Sequence, residues 1–542
     1  MKKYIFVLPF LLILILTGSW SVKAIFRPKT EAFSVYQYSV PVDGRTAYLW
    51  IPPKADFVRG VIISSANMLE NRWMNNSIIR QMASEEKLAL LWIGGPQKAS
   101  VLNADMNLGA GEKLEALMNQ FAEQTGYTEL AYAPFIPTGH SALGHLSWNL
   151  TSWNPERVIA AIAIKTIPFP DSLHYSGVPT LYMVGQTTEW PQFRNGQPGD
   201  RDFFWPVVQK SAINLRKQNK DNLIAVVTDP GGGHFDWSKK ESRFMSLYIK
   251  KACAARLPKY YPAHGPIKLN SIKKESGWLT DNAGMKPDRS HPAPYNDYKG
   301  LKNEAYWFFD RELAEAAVAF CGDRKERAKQ MVTFVQDGEL LNITKLGFAS
   351  LKFEPKFDGI TFNLKGGFLK EVPAELVNAG APLQHANSEI RFSVIDGPVI
   401  QNGSNTFQVH FNREGWRNDI WVLACNPGND DVRKAVQPGK IIIPYPIKEG
   451  KLQTIHFPEI GEITSMEKMI KLNATSDAGL PVQYFVKSGP AFIEGNLLIL
   501  TDIPEKAKFP MKITVVAWQC GKTSGEKIQS AEPVEQSFYI TK

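Results

Sequence analysis

Cysteine is scarce in this chain of 542 residues: there are four, Cys253, Cys321, Cys425 and Cys520. None has the spacing of a metal site, and neither CxxC nor HExxH occurs, so no metal is expected. Four thiols allow three disulfide connectivities. The local pairing Cys253–Cys321 with Cys425–Cys520 stands beside the alternative of free, buried thiols. Clusters of Lys and Arg with interleaved aromatics are also missing, so nucleic acid is not an expected partner. No clear repeat relates the two β-rich segments of the C-terminal half, and no long apolar lid is seen.

What is present begins at the N-terminus. Lys2 and Lys3 precede an apolar run from Tyr4 to Leu16, and a polar stretch then ends in Val22-Lys23-Ala24. That is the layout of a cleaved export leader, and the run is short for a membrane span. No cysteine lies near the cleavage site, which argues against a lipid anchor. The expectation is cleavage after Ala24, export to the periplasm, the cell surface or the medium, and no membrane insertion afterwards. Three of the 62 basic residues fall in the leader, which leaves 59 against 53 acids. So mild an excess says little about partners. Hydrophobic residues at 44% and charged residues at 21% describe an ordinary globular chain, and its length calls for several domains.

From Phe33 to about Pro258 the pattern alternates strand and helix. Strands are expected at Phe33–Val40, Thr46–Ile51, Gly60–Ala66, Ala89–Ile93, Ala131–Thr138, Arg157–Lys165, Pro179–Val184 and Leu223–Thr228. Helices are expected at Asn76–Lys87, Gly111–Gln124, Phe203–Gln218 and Ser238–Arg256. Two antiparallel strands followed by strand–helix repeats imply an α/β fold with a mostly parallel sheet covered on both faces. The expected layout is a leader at 1–24, a catalytic domain at 25–258, a Pro-, Gly- and aromatic-rich extension at 259–337, a β-sandwich at 338–457 and a second sandwich at 458–542. Within the extension helices are expected at Arg311–Cys321 and Lys325–Gln336. The C-terminal half is β-rich, with a short helix expected at Asp430–Val436.

The chemistry concentrates in Gly139-His140-Ser141, which follows an apolar strand and opens a helix. A serine on a strand–turn–helix bend projects its Oγ into a site, and glycine before the bend removes a clashing Cβ. Ser141 is the candidate nucleophile, and the N–H of Ala142 is one candidate oxyanion donor. The common form of this bend has glycine two residues after the serine; here Leu143 stands there and Gly144 follows. His234, in the glycine loop Pro230-Gly-Gly-Gly-His-Phe-Asp236 between the last strand and the last helix, is the candidate general base. His140 is expected to pack behind the nucleophile. The orienting acid is expected after the strand Pro179–Val184 at Glu189; Asp171 is the alternative, ahead of Asp200 and Asp202. Asn67 or Met68, in the turn after the third strand, is the expected second oxyanion donor. Arg72 and Trp73 in the same loop are candidate substrate contacts, since Arg grips carboxylates and Trp stacks on sugar rings.

The order Ser141, Glu189, His234 on this repeat resembles the α/β-hydrolase superfamily over Phe33–Pro258. The stretch SDAGLPVQYFVKSGPAFIEGNLLIL (Ser476–Leu500) resembles bacterial immunoglobulin-like modules. Leader, hydrolase domain, Trp-rich extension and sandwiches together resemble the carbohydrate esterases exported by Bacteroidetes, with serine-type pectin methylesterases as the nearest likeness. The resemblance implies a cofactor-free serine esterase whose partner is a polysaccharide or another ester substrate. A peptidase or lipase on the same fold, or an inactive glycan-binding protein, are the competing readings. The peptidase usually brings a propeller and the lipase a long lid, and the sequence has neither.

Overall fold

The computed structural model describes residues 35–542 apart from 96–105, 107–108, 186–203, 263, 282–290, 323–326, 345, 375–378, 414, 416 and 524. The leader, Glu189, Asp200 and Asp202 therefore lie outside the described residues.

Eight strands form one sheet: β1 (Tyr38–Val42), β2 (Arg45–Trp50), β3 (Gly60–Ser65), β4 (Leu88–Gly94), β5 (Phe135–His140), β6 (Ala161–Ile164), β7 (Thr180–Gly185) and β8 (Ile224–Asp229). Their spatial order is β1-β2-β4-β3-β5-β6-β7-β8. The first two contacts, β1 with β2 and β2 with β4, are antiparallel, and the rest are parallel. Strands β3 to β8 are buried along their whole length, which is why they read as continuous apolar runs rather than alternations. Alternate residues still serve opposite faces: Ile62, Leu90 and Trp92 join one core, and Val61, Ile63 and Leu91 the other.

The helices are α1 (Glu70–Met74), α2 (Ser77–Glu85), α3 (Ala110–Thr125), α4 (His145–Trp153), α5 (Phe204–Gln218), α6 (Lys239–Arg256) and α7 (Arg311–Cys321). Their starts are written locally. Asn76 caps α2, Asp310 caps α7, and Ser238 with Glu241 forms a reciprocal capping box at α6. Helices α2, α6 and α7 cover one face of the sheet and α3 the other. This strand order, with a serine turn after β5 and a histidine loop after β8, is the α/β-hydrolase fold.

From Val332 onward the elements among the described residues are all strands. One four-stranded sheet (Ala349–Leu351, Ala435–Ile442, Asp419–Asn426, Arg391–Asp396) faces a three-stranded one (Thr361–Asn363, Thr406–Val409, Val399–Gln401) across Phe362, Phe407, Val409, Ile420, Val422 and Ile441. A second pair of sheets follows, built on Met511–Trp518 and Val534–Thr541 in one and Leu497–Leu500 in the other. Two expected helices are strands here. Val332–Gln336 pairs with Gly366–Phe368 instead of ending a helix, and Ala435 and Val436 open the strand Ala435–Ile442. In both places β-branched residues gain a ladder and a buried face that a short exposed helix would lack. All four cysteines are free, with Cys253, Cys321 and Cys520 buried.

The sandwiches are not beads on a string. The core beneath β1–β4 continues into the second sandwich through Tyr484, Val486, Met511 and Ile513. The outer face of the first sandwich, with Ile395, Leu423 and Val436, closes on Met68 and Phe235 of the hydrolase domain.

Candidate active site

The bend after β5 carries the strain expected of a nucleophile. Ser141 has φ +55°, a left-handed conformation unusual for a residue with a Cβ. A 3₁₀ turn, Ser141–Gly144, then leads into α4. This turn explains the displaced glycine. In a 3₁₀ turn residues three apart lie on one face, so the residue that meets the neighbouring strand end is at 144, not 143. A Cβ on Gly144 would lie 2.1 Å from Thr166 Oγ1, and one on Gly139 would lie 2.2 Å from the Leu143 carbonyl. Leu143 is free to be large because it faces elsewhere. Thr166, just beyond β6, donates its hydroxyl to the Ser141 carbonyl and pins the bend.

The loop between β8 and α6 delivers His234. Its Nε2 lies 2.9 Å from Ser141 Oγ, although 93 residues separate them. Both side chains are nearly buried. Burial first, and then the Lys165 ammonium, pushes the His234 pKa down to about 3. A neutral imidazole poised on a serine hydroxyl is the arrangement for proton abstraction. His140 sits behind it, Nε2 at 3.0 Å from the His234 carbonyl with ring centroids 4.7 Å apart, and burial holds it neutral as well.

The other expected site residues are distributed differently. Ala142 is exposed directly after Ser141. The backbone N–H groups of Asn67 and Met68 both donate to Glu70 Oε2 at 2.9 Å, so these expected oxyanion donors are already engaged by the Glu70 carboxyl. The Asn67 side-chain amide instead donates to the His140 carbonyl at 3.2 Å, tying this loop to the serine bend. Arg72 is a correction: its guanidinium donates to Ser393 Oγ (3.1 Å), the Val394 carbonyl (2.6 Å) and the Trp237 carbonyl (3.2 Å), which makes it a brace between domains. Trp73 is a second correction. It is fully buried against Trp237, ring centroids 5.4 Å apart, and offers no stacking face to a sugar. Asp171 is exposed, its carbonyl accepting from Gln218 Nε2.

Several residues at the site were not anticipated from sequence. Glu70 is buried, with Oε1 unpartnered, and burial raises its pKa to about 8 despite the N–H groups it accepts from. Lys165 is wholly buried, ion-paired with Glu241 Oε1 at 2.9 Å and bonded to the Asp236 carbonyl. A lysine closing the apolar run RVIAAIAIK was the available signal. Phe235, next to His234, meets Trp421 of the first sandwich at 5.9 Å, and Trp421 meets Phe348 edge-on at 5.0 Å. The unbroken run Ile420–Cys425 hinted that this strand is covered on both faces. Asp229, Asp236 and Glu241 place carboxylate oxygens close enough to share a cation. Lysine ammoniums serve them instead, from Lys165, Lys240 and Lys434.

No family model matches the chain, and neither does any curated protein. Among solved structures it is similar to an S-formylglutathione hydrolase from Agrobacterium tumefaciens, at 17% identity and TM-score 0.29 over 40% of this chain and 93% of that one. It is similar to Est1E from Butyrivibrio proteoclasticus, at 14% and 0.28 over 40% and 99%. A poly(3-hydroxybutyrate) depolymerase from Bordetella parapertussis follows, at 14% and 0.28 over 41% and 91%. The assignment of the fold rests on the strand order and the serine bend.

Proposed function

We propose that the protein is an exported serine carboxylester hydrolase that removes methyl or acetyl groups from a plant cell-wall polysaccharide such as pectin. The observation that carries the reading is the 2.9 Å contact between Ser141 Oγ on a left-handed bend and His234 Nε2. In the proposed reaction Ser141 Oγ attacks the ester carbonyl while His234 takes its proton. The tetrahedral intermediate collapses, the C–O bond to the alcohol breaks, and His234 returns the proton to the leaving oxygen. Water, deprotonated by His234, then opens the acyl-enzyme and releases the acid. Glu189 is proposed to orient the imidazole, and the Ala142 N–H to face the oxyanion.

The polysaccharide part of the proposal draws on the leader, the appended sandwiches and the half-buried aromatic wall of Phe235, Trp421 and Phe348 beside His234. Such rings suit a sugar face. Ser141→Ala in the full-length protein tests the chemistry. Hydrolysis of an aryl acetate should fall at least about a thousandfold with the circular dichroism unchanged, and a fluorophosphonate should label the wild type but not the variant. Near-wild-type turnover by Ser141→Ala would remove the nucleophile. Release of methanol and of acetate from esterified pectins, read separately, tests the substrate. Neither product forming would leave the esterase and reject the pectin.

A further inference from the structure

We propose that Lys165, which closes β6, is a positioning residue of the active site: its buried ammonium holds the Asp236 carbonyl and thereby fixes the turn that presents His234 to Ser141. The inference rests on His234 being the general base for Ser141, and not on which ester is cleaved.

His234 sits inside a turn closed by the Asp236 N–H on the Gly233 carbonyl at 3.2 Å. Side chains from two neighbouring strand ends support that turn. Strands β5 and β6 pair in the register His140 with Ile164, so His140 and Lys165 stand side by side at those ends. His140 Nε2 lies 3.0 Å from the His234 carbonyl, and since a carbonyl can only accept, that nitrogen carries the proton. Lys165 Nζ donates to the Asp236 carbonyl, two residues further on. The ammonium is held in turn by Glu241 Oε1 at 2.9 Å. The other oxygen of that carboxyl group accepts from the Ser238 N–H and starts α6. One buried cation therefore ties β6, the histidine turn and the first turn of α6 together. The next residue, Thr166, clamps the Ser141 carbonyl. Nucleophile and base are thus braced from a single dipeptide, which is what a fixed separation between them requires.

Stability alone does not account for this lysine. It closes the run RVIAAIAIK, is wholly buried, and adopts φ +46°, which a residue with a Cβ resists. A buried ion pair is often no more stable than apolar residues of the same volume, and an apolar side chain would simply continue the run. The charge also has a second effect. After burial, it is what disfavours the imidazolium of His234. His140 and His234 face the ammonium from β5 and the histidine loop, Asp229 from the end of β8, Asp236 through its carbonyl, and Glu241 from α6. Lys240, Lys434 and Arg72 act on the same acids.

The test is the rate at which a fluorophosphonate labels Ser141 in the full-length protein, followed against pH. Alongside it, kcat and KM on an aryl acetate are measured, with circular dichroism giving the folded fraction. Lys165→Met should lower labelling and kcat at neutral pH at least about tenfold and change KM by less than about twofold. It should also move the acidic limb of labelling up by about one pH unit. If Lys165→Met, with Glu241 left alone in the interior, does not fold, Lys165→Met/Glu241→Gln removes the lone charge and keeps the cap of α6; it must show the same changes. A lysine that only held the fold would lower stability and leave labelling, kcat and the acidic limb in place. In either folded variant, labelling or kcat at the wild-type level, a rise in KM with kcat kept, or an unmoved limb overturns the proposal. Labelling does not depend on the ester chosen. Lys165-dependent labelling in a protein that hydrolyses no ester upholds this inference and rejects the esterase reading; Ser141-dependent ester turnover with labelling indifferent to Lys165 does the reverse.

Discussion

Glu70 shows how one residue couples the site to stability. Its carboxyl is buried and collects the N–H groups of Asn67 and Met68, yet burial outweighs them and keeps it protonated to about pH 8. An unfolded chain releases that proton near the ordinary value of 4.5. The group's stabilising contribution is therefore whole below about pH 4.5 and drains away as the pH climbs towards 8. Glu70→Gln keeps an acceptor oxygen and removes the titration. Denaturant unfolding should find it close to wild type at pH 5 and more stable by on the order of 2 kcal/mol at pH 9. Equal stability at pH 9 would show that the carboxylate is accommodated. A second residue-scale prediction separates the acids. Glu189→Gln should lower kcat with the fold intact, because the imidazolium loses its partner. Asp171→Asn, altering an exposed side chain, should leave kcat within about twofold.

Among the elements, the serine bend is the most constrained. Its left-handed residue, its 3₁₀ turn and the clamp from Thr166 act as one unit. Gly144→Ala inserts a methyl 2.1 Å from Thr166 Oγ1, an overlap neither backbone nor a buried threonine can relieve without moving Ser141. We expect a loss of about 1–3 kcal/mol in stability and a fall in kcat larger than in KM, since the serine shifts relative to His234. Leu143→Ala, at the position where glycine would ordinarily stand, should be mild in both measurements. If the two variants behave alike, the 3₁₀ register is not what places the glycine.

On the scale of the whole molecule, the domains share their interiors. Arg413 lies over the rings of Tyr36 and Tyr48 at 5.2 and 5.7 Å, the Gly489 N–H bonds the Tyr36 carbonyl, and Arg72, Phe235 and Asp236 all engage the first sandwich. From sequence, the hydrolase domain and its extension are expected to work alone on a small ester, because residues after Leu340 hold no catalytic constellation. The contacts weigh against that expectation. A chain truncated after Asp337 exposes Met68, Phe235 and the β1–β2 face and strips Asp236 of its ammonium. It should aggregate or unfold, and any soluble fraction should hydrolyse an aryl acetate at least about tenfold more slowly. Sedimentation, circular dichroism and rate decide this; a soluble truncated protein with the full-length rate would return the sandwiches to the part of a spacer.

What the sequence determined by itself is what local physics writes: buried strands as apolar runs, helix starts as Asn76, Ser238 and Asp310, and the serine bend as Gly139-His140-Ser141 after a strand. The order of serine strand and histidine loop was legible too, because a parallel sheet with short connections leaves few ways to arrange them. The tertiary structure decided the rest. Arg72 looked like a substrate contact only because nothing local records that a sandwich some 320 residues on would engage it, and Trp73 because nothing local records its packing on Trp237. Glu70 bonds its own loop, but that the loop is buried follows from its neighbours. Lys434 carries no local mark at all, since an ion pair across 198 residues exists only once two domains close on each other.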